Sequence, residues 1–345
     1  IYLHPNFQYL HLKMLERIDM SLPANVRRLM YETMVRSRLL DDRFMEQYWI
    51  GKRPVFAFGA GPLPGELHTS HGQEPVGAGV CATLGEEDMI TTGHRPHHIA
   101  VARGVDIKEM AAELFGKAAG LSGGRGGHMH LYDKRVNFSS SGIIAEGLGP
   151  AAGMAFARKM QNKSGVALSF LGDGAVNQGA FHEVMNIVGL QKLPFICVIE
   201  DNKWAVTTHK SMSTAVERNS DRASSYAMAG EFVQGNDPDL IYAATQRALS
   251  RARSGEGGTI LEIETVRLKG HFTGDQSGYI TGDNQQYQID PIPVYRARLI
   301  NEGVLDEQEA LDIEAKVGSQ VDGAISFALG AEYPGVEDAL NCTFA

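Results

Sequence analysis

The stretch GDGAVNQGAFHEVMNIVGLQKLPFICVIEDN, residues 172–202, decides the reading of this chain. It continues from the apolar run GVALSFLG (165–172), which reads as a strand buried on both faces of a parallel sheet. NQGAFHEVMNIVGLQ (177–191) reads as a helix, and LPFICVIE (193–200) as a second buried strand. Parallel strands joined through a helix form a right-handed βαβ unit. Asp173 and Asn202, 29 residues apart, therefore both emerge at the carboxyl ends of strands. In open α/β sheets that edge is where ligands bind.

The chemistry available at this edge is narrow. A carboxylate and a carboxamide oxygen are hard ligands that suit magnesium or calcium. The helix following Asp173 is expected to aim its N-terminus at the same place, which favours an anion such as phosphate. Gly172, Gly174 and Ala175 keep the turn slim enough for close approach. A lone GDG is also a common turn; the ordered series of strand, GDG, helix, strand and DN carries the signal.

Working outward, NVRRLMYETMVRSRLLDDRFMEQYW (25–49) has the mixed three and four spacing of a long amphipathic helix. EPVGAGVCATL (74–84), DIKEMAAELFG (106–116), EGLGPAAGMAFARKM (146–160) and DPDLIYAATQRALSRARSG (237–255) also read as helices. DMITT (88–92) and GTILEIETVRL (258–268) read as strands, and PIPVYRARLINEG and LDEQEALDIEAKVGSQVDGAISFALG as C-terminal helices. Residues 51–73 and 120–142 are long Gly-rich loops, a length that in a compact domain points to binding. The expected architecture is α/β: a doubly wound, mostly parallel sheet flanked by helices. A helical N-terminal extension (1–60) precedes the α/β domain (61–290), and a helical region (291–345) packs on it.

Composition bounds the function. The 345-residue chain has a net charge of -9 and a pI near 5.7, which argues against nucleic acid as the main partner. It has no apolar run of the roughly 18 residues that a membrane span needs. The start, IYLHPNFQYLHLK, lacks an initiator Met and the charged and apolar regions of a signal peptide. Cys81, Cys197 and Cys342 contain no CxxC pair, which fits a reducing, cytoplasmic setting. Cys197, inside PFICVIE, reads as a buried small hydrophobe.

Histidine is unusual: seven of the 12 lie between His68 and His130. HMH and HRPHH lack the spacing with cysteines of a structural zinc site. Taken singly, His68, His97 and His271 fit a hydrogen-bonded loop residue as well as a catalytic one. Glu183, beside His182, reads as a packing or subunit-pairing residue ahead of a catalytic one. Arg125 reads equally as a phosphate clamp or a solvated loop charge.

Together the motifs GELHTSHGQE, TTGHRPHH, GGRGGHMHLYD, SSSGIIAEG, GDGAVNQGAFHEVMN, LPFICVIEDN and VRLKGHFTGD resemble, in this order, the alpha subunit of the decarboxylating component of 2-oxo acid and acetoin dehydrogenases. The likeness covers roughly residues 25–340 and implies the thiamine diphosphate-binding fold. It implies that Asp173 and Asn202 bind Mg2+ by side chain and Trp204 by its backbone carbonyl. Gly172, Gly174, Ala175, His94 and Arg95 would lie at the diphosphate, for which a planar guanidinium fork is well suited. Gly142 and Ile144 would meet the aminopyrimidine, with Ile144 propping the cofactor in a bent form. His68 and His271 match active-site histidines, and a protonated His271 would hold the substrate carboxylate or the reacting oxygen.

The chain departs from the family pattern at Asp201, where an asparagine is usual, and at His94, where a tyrosine is usual. Phe272 stands where the animal enzymes carry a regulatory serine, so the resemblance does not extend to that phosphorylation site. The resemblance also implies that the glutamate serving the pyrimidine ring comes from a beta subunit, in an alpha-two beta-two heterotetramer. The acyl group from a small carbonyl substrate would pass to a lipoyl-bearing acyltransferase. The readings to be separated are this dehydrogenase, a carboligase using the same cofactor, and a regulatory module that has kept the cofactor pocket.

Overall fold

The computed structural model describes residues 22–52, 57–280 and 288–340. Its strands are β1 (Met89–Thr92), β2 (Tyr132–Asp133), β3 (Phe138–Ser140), β4 (Ala167–Gly172), β5 (Phe195–Asp201), β6 (Trp204–Ala205), β7 (Thr208–His209), β8 (Ala229–Val233) and β9 (Thr259–Glu264). The helices are α1 (Ala24–Tyr48), α2 (Glu74–Cys81), α3 (His97–Arg103), α4 (Ile107–Leu114), α5 (Leu148–Met160), α6 (Gly179–Gln191), α7 (Pro238–Arg253), α8 (Pro291–Asn301) and α9 (Glu307–Gly330).

Seven strands form one sheet in the order β2-β3-β1-β4-β5-β9-β8, with only β2 antiparallel to its neighbour. β6 and β7 form a separate antiparallel hairpin. Alternate residues of the central strands enter different cores, the period-two signature of a sheet covered on both faces. Leu168, Phe170, Ile196, Val198 and Leu261 join one hydrophobic cluster with α1, α2 and α7. Ala167, Leu171, Phe195, Cys197, Ile199 and Ile260 join a second with α5 and α6. This is the doubly wound α/β arrangement that the sequence predicts. Tyr295 and Leu299 of α8 and Val317 and Val321 of α9 belong to the same cluster as Met30 and Met34 of α1.

The helix starts follow local chemistry. Asp106 caps α4 by accepting from the amides of Lys108 and Glu109, and Asp237 caps α7 ahead of Pro238. Asp306 and Glu309 form a capping box at α9. One expectation is corrected: α6 does not start directly behind Asp173. A 3-10 turn, Ala175–Asn177, stands first, and α6 begins at Gly179. The loop over 120–142 also contains β2 and β3. Pairing with β1 (Ile90↔Phe138, Thr91↔Ser139) holds β3 in register, although three residues are too few to show a period. Residues 1–21, 53–56 and 341–345, including Cys342, lie outside the described residues.

The Gly-rich loop is wound around one acid. Glu113 is fully buried and accepts from the amides of Ser122 (2.7 Å), Gly124 (2.9 Å) and Gly126 (2.6 Å). Gly124 has φ +77, and a Cβ at Gly120 would sit 2.6 Å from the Glu113 Cα, so the tight wrap requires glycine at both. The loop leads into His128, whose ring contacts His68. Stranding a buried donor costs roughly 1–3 kcal/mol, so Glu113→Ala should destabilise the chain by about 3 kcal/mol or more. Chemical denaturation reads this directly, and a loss under about 1 kcal/mol would show that the loop holds without its acid.

Candidate functional site

A cavity of about 450 Å³ opens at the carboxyl ends of β1, β4 and β5, a volume within the usual range for a ligand site. His68, His94, Arg95, Gly142, Ile144, Gly172, Asp173, Gly174, Ala175, Asn202, Trp204 and His271 all line it. They come from segments up to 203 positions apart, between His68 and His271. The fold thus brings these twelve residues to the lining of one cavity.

Asp173 is the anomaly. Its side chain is buried, yet among the described residues neither carboxylate oxygen has a hydrogen-bond partner. Burial, and then the charge of Asp201, push its carboxyl up to about 7. An uncompensated buried carboxylate is a group that a proton or a hard dication would satisfy.

The partner amide is held in one orientation. Asn202 donates from Nδ2 to Gln73 Oε1 (2.8 Å), and Gln73 donates from Nε2 to Glu200 Oε1 (2.9 Å). His98 Nε2 lies 2.7 Å from the same Glu200 oxygen. This chain leaves Asn202 Oδ1 as the acceptor, with the Trp204 amide donating to it at 3.1 Å. None of these supporting contacts is visible in a local sequence pattern.

Asp201, the departure from the usual asparagine, is explained by its neighbours. It is fully buried, and Lys203 Nζ (2.7 Å) and Lys210 Nζ (2.6 Å) both donate to Oδ2. Lys210 also donates to Glu262 (2.8 Å). Burial pushes the Asp201 carboxyl up, but the two lysines outweigh it and hold it below the ordinary carboxylate range. Its charge is thus spent within the fold, and Asp201 does not line the cavity.

The glycines divide in role. A Cβ at Gly174 would meet the Ala205 Cβ at 2.4 Å, so this glycine is required by packing. A Cβ at Gly172 would meet nothing within 4 Å, so this one leaves ligand space on the cavity wall.

Arg95 is buried; Nη1 donates to the Thr69 carbonyl and Nη2 to the His271 carbonyl (2.9 Å), tying two loops to the cavity. Arg267 lines the same cavity, with Nη2 bound to the Val206 carbonyl (2.9 Å) and the Tyr279 hydroxyl (2.6 Å). Its buried Nε has no protein partner. The sequence reading assigns Arg267 no role, although a cation within VRLKGHF, just past a strand, was a usable signal.

Burial, then Arg95, pushes His94 down to about 3 and His271 down to about 4. Both effects favour the neutral imidazole at His271, whereas the resemblance implies an imidazolium there. The remaining candidates fall outside the cavity lining: Arg125 binds the Asp338 carbonyl (3.3 Å), and His182 contacts the Tyr226 hydroxyl (2.6 Å). Cys197 is buried, and burial raises its thiol far above the ordinary range.

The cavity at the carboxyl edge of this α/β fold is lined by Asp173, Asn202, Arg95 and Arg267, residue types that suit an anionic ligand and its counter-ion. The model of the dehydrogenase E1 component family matches residues 58–337, and the chain belongs to that family. It is 36% identical over 327 residues to the alpha subunit of acetoin:2,6-dichlorophenolindophenol oxidoreductase of Bacillus subtilis, covering 94% of this chain and 95% of that one. The corresponding subunit of Cupriavidus necator is 35% identical over 288 residues, 82% of this chain and 86% of its own. The pyruvate dehydrogenase E1 alpha subunit of Rhizobium meliloti is 35% identical over 285 residues, 81% and 82%. Among the described residues no helix is long and apolar enough to cross a membrane.

With chelator present, the folded chain keeps a proton on Asp173 between about pH 4 and 7 that the unfolded chain has released. Stability should therefore fall as pH rises through that window and level off above it. Asp173→Asn should flatten this slope and be the more thermostable chain at pH 8. Parallel melting-temperature profiles for the two chains would show that the carboxylate is stabilised internally.

Proposed function

We propose that this chain is the alpha subunit of a thiamine diphosphate-dependent E1 dehydrogenase acting on acetoin or a short 2-oxo acid, with Mg2+ between cofactor and protein. The observation that carries this reading is the buried, unpartnered carboxylate of Asp173 on the same cavity wall as the oriented amide of Asn202. Family membership and the near full-length likeness to acetoin and pyruvate dehydrogenase alpha subunits support the reaction class.

When bound, thiamine diphosphate supplies the carbon nucleophile and the electron sink that such chemistry needs. The residues of this chain bind and orient. Asp173 and Asn202 offer oxygens to Mg2+ and the Trp204 carbonyl offers a third. Arg95, His94 and the backbone at Gly174 and Ala175 meet the diphosphate, and Gly142 and Ile144 meet the aminopyrimidine. Neutral His271 and His68 serve as hydrogen-bonding groups toward the substrate oxygen, and the His68–His128 contact at 2.9 Å fixes the ring of His68.

The site is completed by a beta subunit. Ile143 and Ile144 line the cavity yet are 62% and 45% exposed, which leaves the aminopyrimidine side uncovered by this chain. Met160 on α5 and Leu190 on α6 are 67% and 73% exposed, an apolar surface suited to a partner. That partner supplies the pyrimidine-side glutamate in an alpha-two beta-two assembly, and a lipoyl-bearing acyltransferase takes the acyl group. The similar chains named above are dehydrogenase and oxidoreductase subunits, which gives the carboligase alternative no support.

The purified chain with thiamine diphosphate and Mg2+ should show no turnover of acetoin or pyruvate with dichlorophenolindophenol as acceptor. Adding the beta subunit should restore it, by at least the roughly 10²–10⁴-fold that positioned acid–base groups contribute. Robust turnover by the chain alone would overturn the shared site. Calorimetry on Asp173→Ala should show Mg2+-dependent cofactor binding abolished; unchanged affinity would remove Asp173 from the site. His271→Ala should bind cofactor normally and lose turnover in the reconstituted pair, and near-normal turnover would dismiss His271 from the reaction.

A further inference from the structure

We propose that His68, His94 and His271 form a second metal site, selective for a transition-metal dication such as Zn2+ and distinct from the oxygen site at Asp173 and Asn202. The three imidazoles come from three loops: one ahead of α2, one between β1 and α3, and one after β9. One ring nitrogen from each lies within 4.8 Å of the others. Ring centroids stand 4.8 Å apart for His68–His94, 4.8 Å for His68–His271 and 5.2 Å for His94–His271. At zinc–nitrogen distances of about 2.0–2.1 Å, tetrahedral ligands sit about 3.3 Å apart, so the rings must close by roughly 1.5 Å. His94 and His271 are only partly buried, and both stand on loops.

The support around His68 has the form found behind metal-bound histidines. His68 Nδ1 lies 2.9 Å from His128 Nε2. In the tautomer that donates Nδ1–H to His128, the Nε2 lone pair of His68 is the one left for an ion. Glu66 Oε2 stands 3.9 Å from that Nε2 and lines the same cavity, a candidate fourth ligand. Imidazole suits zinc, copper and nickel, whereas carboxylate and carbonyl oxygens suit magnesium, so the two sites select different ions.

Burial, with Arg95 behind it, disfavours the protonated form of all three rings. Arg95 and Arg267 oppose a dication here, and the carboxylates of Glu66 and Asp275 offset them. Asp275 is tied to the loop through the His271 amide at 2.6 Å. HRPHH contributes only its first histidine; the neighbours His97 and His98 turn inward to Asp41 and Glu200. An ion held by the triad takes His94 from the diphosphate and His68 and His271 from the substrate oxygen, and the site is therefore inhibitory. That consequence rests on the cofactor reading, whereas the binding test below uses no cofactor.

The chelator-treated full chain, in excess Mg2+, is titrated with Zn2+ against a chromophoric zinc indicator. One zinc per chain should bind with a Kd in the micromolar range or tighter. His94→Tyr and His271→Ala should each weaken it by about 100-fold or more, because each removes a ligand. Asp173→Asn should leave it unchanged. Co2+ added to the unmodified chain should give the intense visible absorption of a low-coordinate nitrogen site, a readout that needs no variant to fold. Absence of a stoichiometric zinc site overturns the proposal, as does a site that survives both histidine substitutions. Loss of zinc binding in Asp173→Asn also overturns it, by placing the ion at the oxygen site.

Discussion

A carboxylate sealed in the interior without a partner is the constraint around which this structure is arranged. Asp173 sits at the end of a central strand, where burial and Asp201 both disfavour its charge. A fold accepts such a group only if surrounding packing holds it in place. Here β4 and β5 pair in parallel over six registered positions, from Ala167↔Phe195 to Gly172↔Glu200. The pairing puts Asp173 and Asn202 at one edge, and every other feature of the cavity depends on it.

Around this group the protein separates its buried charges. Asp201 and Glu262 are matched by Lys210, and Asp41 by His97 at 2.6 Å. Glu200 is used as an acceptor for His98 and Gln73. Such networks stabilise only when every member is satisfied, and removing one partner leaves an exposed cost. Asp173 is the buried carboxylate left without a partner among the described residues, and it faces the cavity.

The parts legible in the sequence were those with long, regular signals. Buried runs such as ALSFLG and FICVIED, with a helix between them, fixed the sheet direction and hence the location of Asp173 and Asn202. The helix readings at 106–116 and 237–255 began on the acids that cap α4 and α7 in the structure. β2, β3, β6, β7 and β8 gave no comparable signal, because two to five residues held by cross-strand pairing have no period of their own. Helix α3 was hidden because its first turn, HHI, is occupied by side chains turned to buried acids. The same limit applied to the site. Lining residues could be named from motifs, but their supports could not. Gln73, 129 positions from Asn202, orients its amide, and Lys210 neutralises Asp201 through a hairpin that only the fold reveals. The surroundings of His271 were not legible either, since the burial and then the arginines that disfavour its protonation arise only in three dimensions.

The open space over Gly172 makes that position a natural handle for chemical genetics. A methyl added there would meet no protein atom within 4 Å, so its bulk would fall on whatever occupies the cavity. An alanine allele would thus trim the pocket one carbon at a time while leaving the sheet intact. It could be paired with a cofactor analogue pared back at the matching atom, giving an orthogonal enzyme–ligand pair inside a cell. Gly174, two residues away and pressed against Ala205, offers no such freedom, so the two glycines of one short motif differ sharply in their room for evolutionary change.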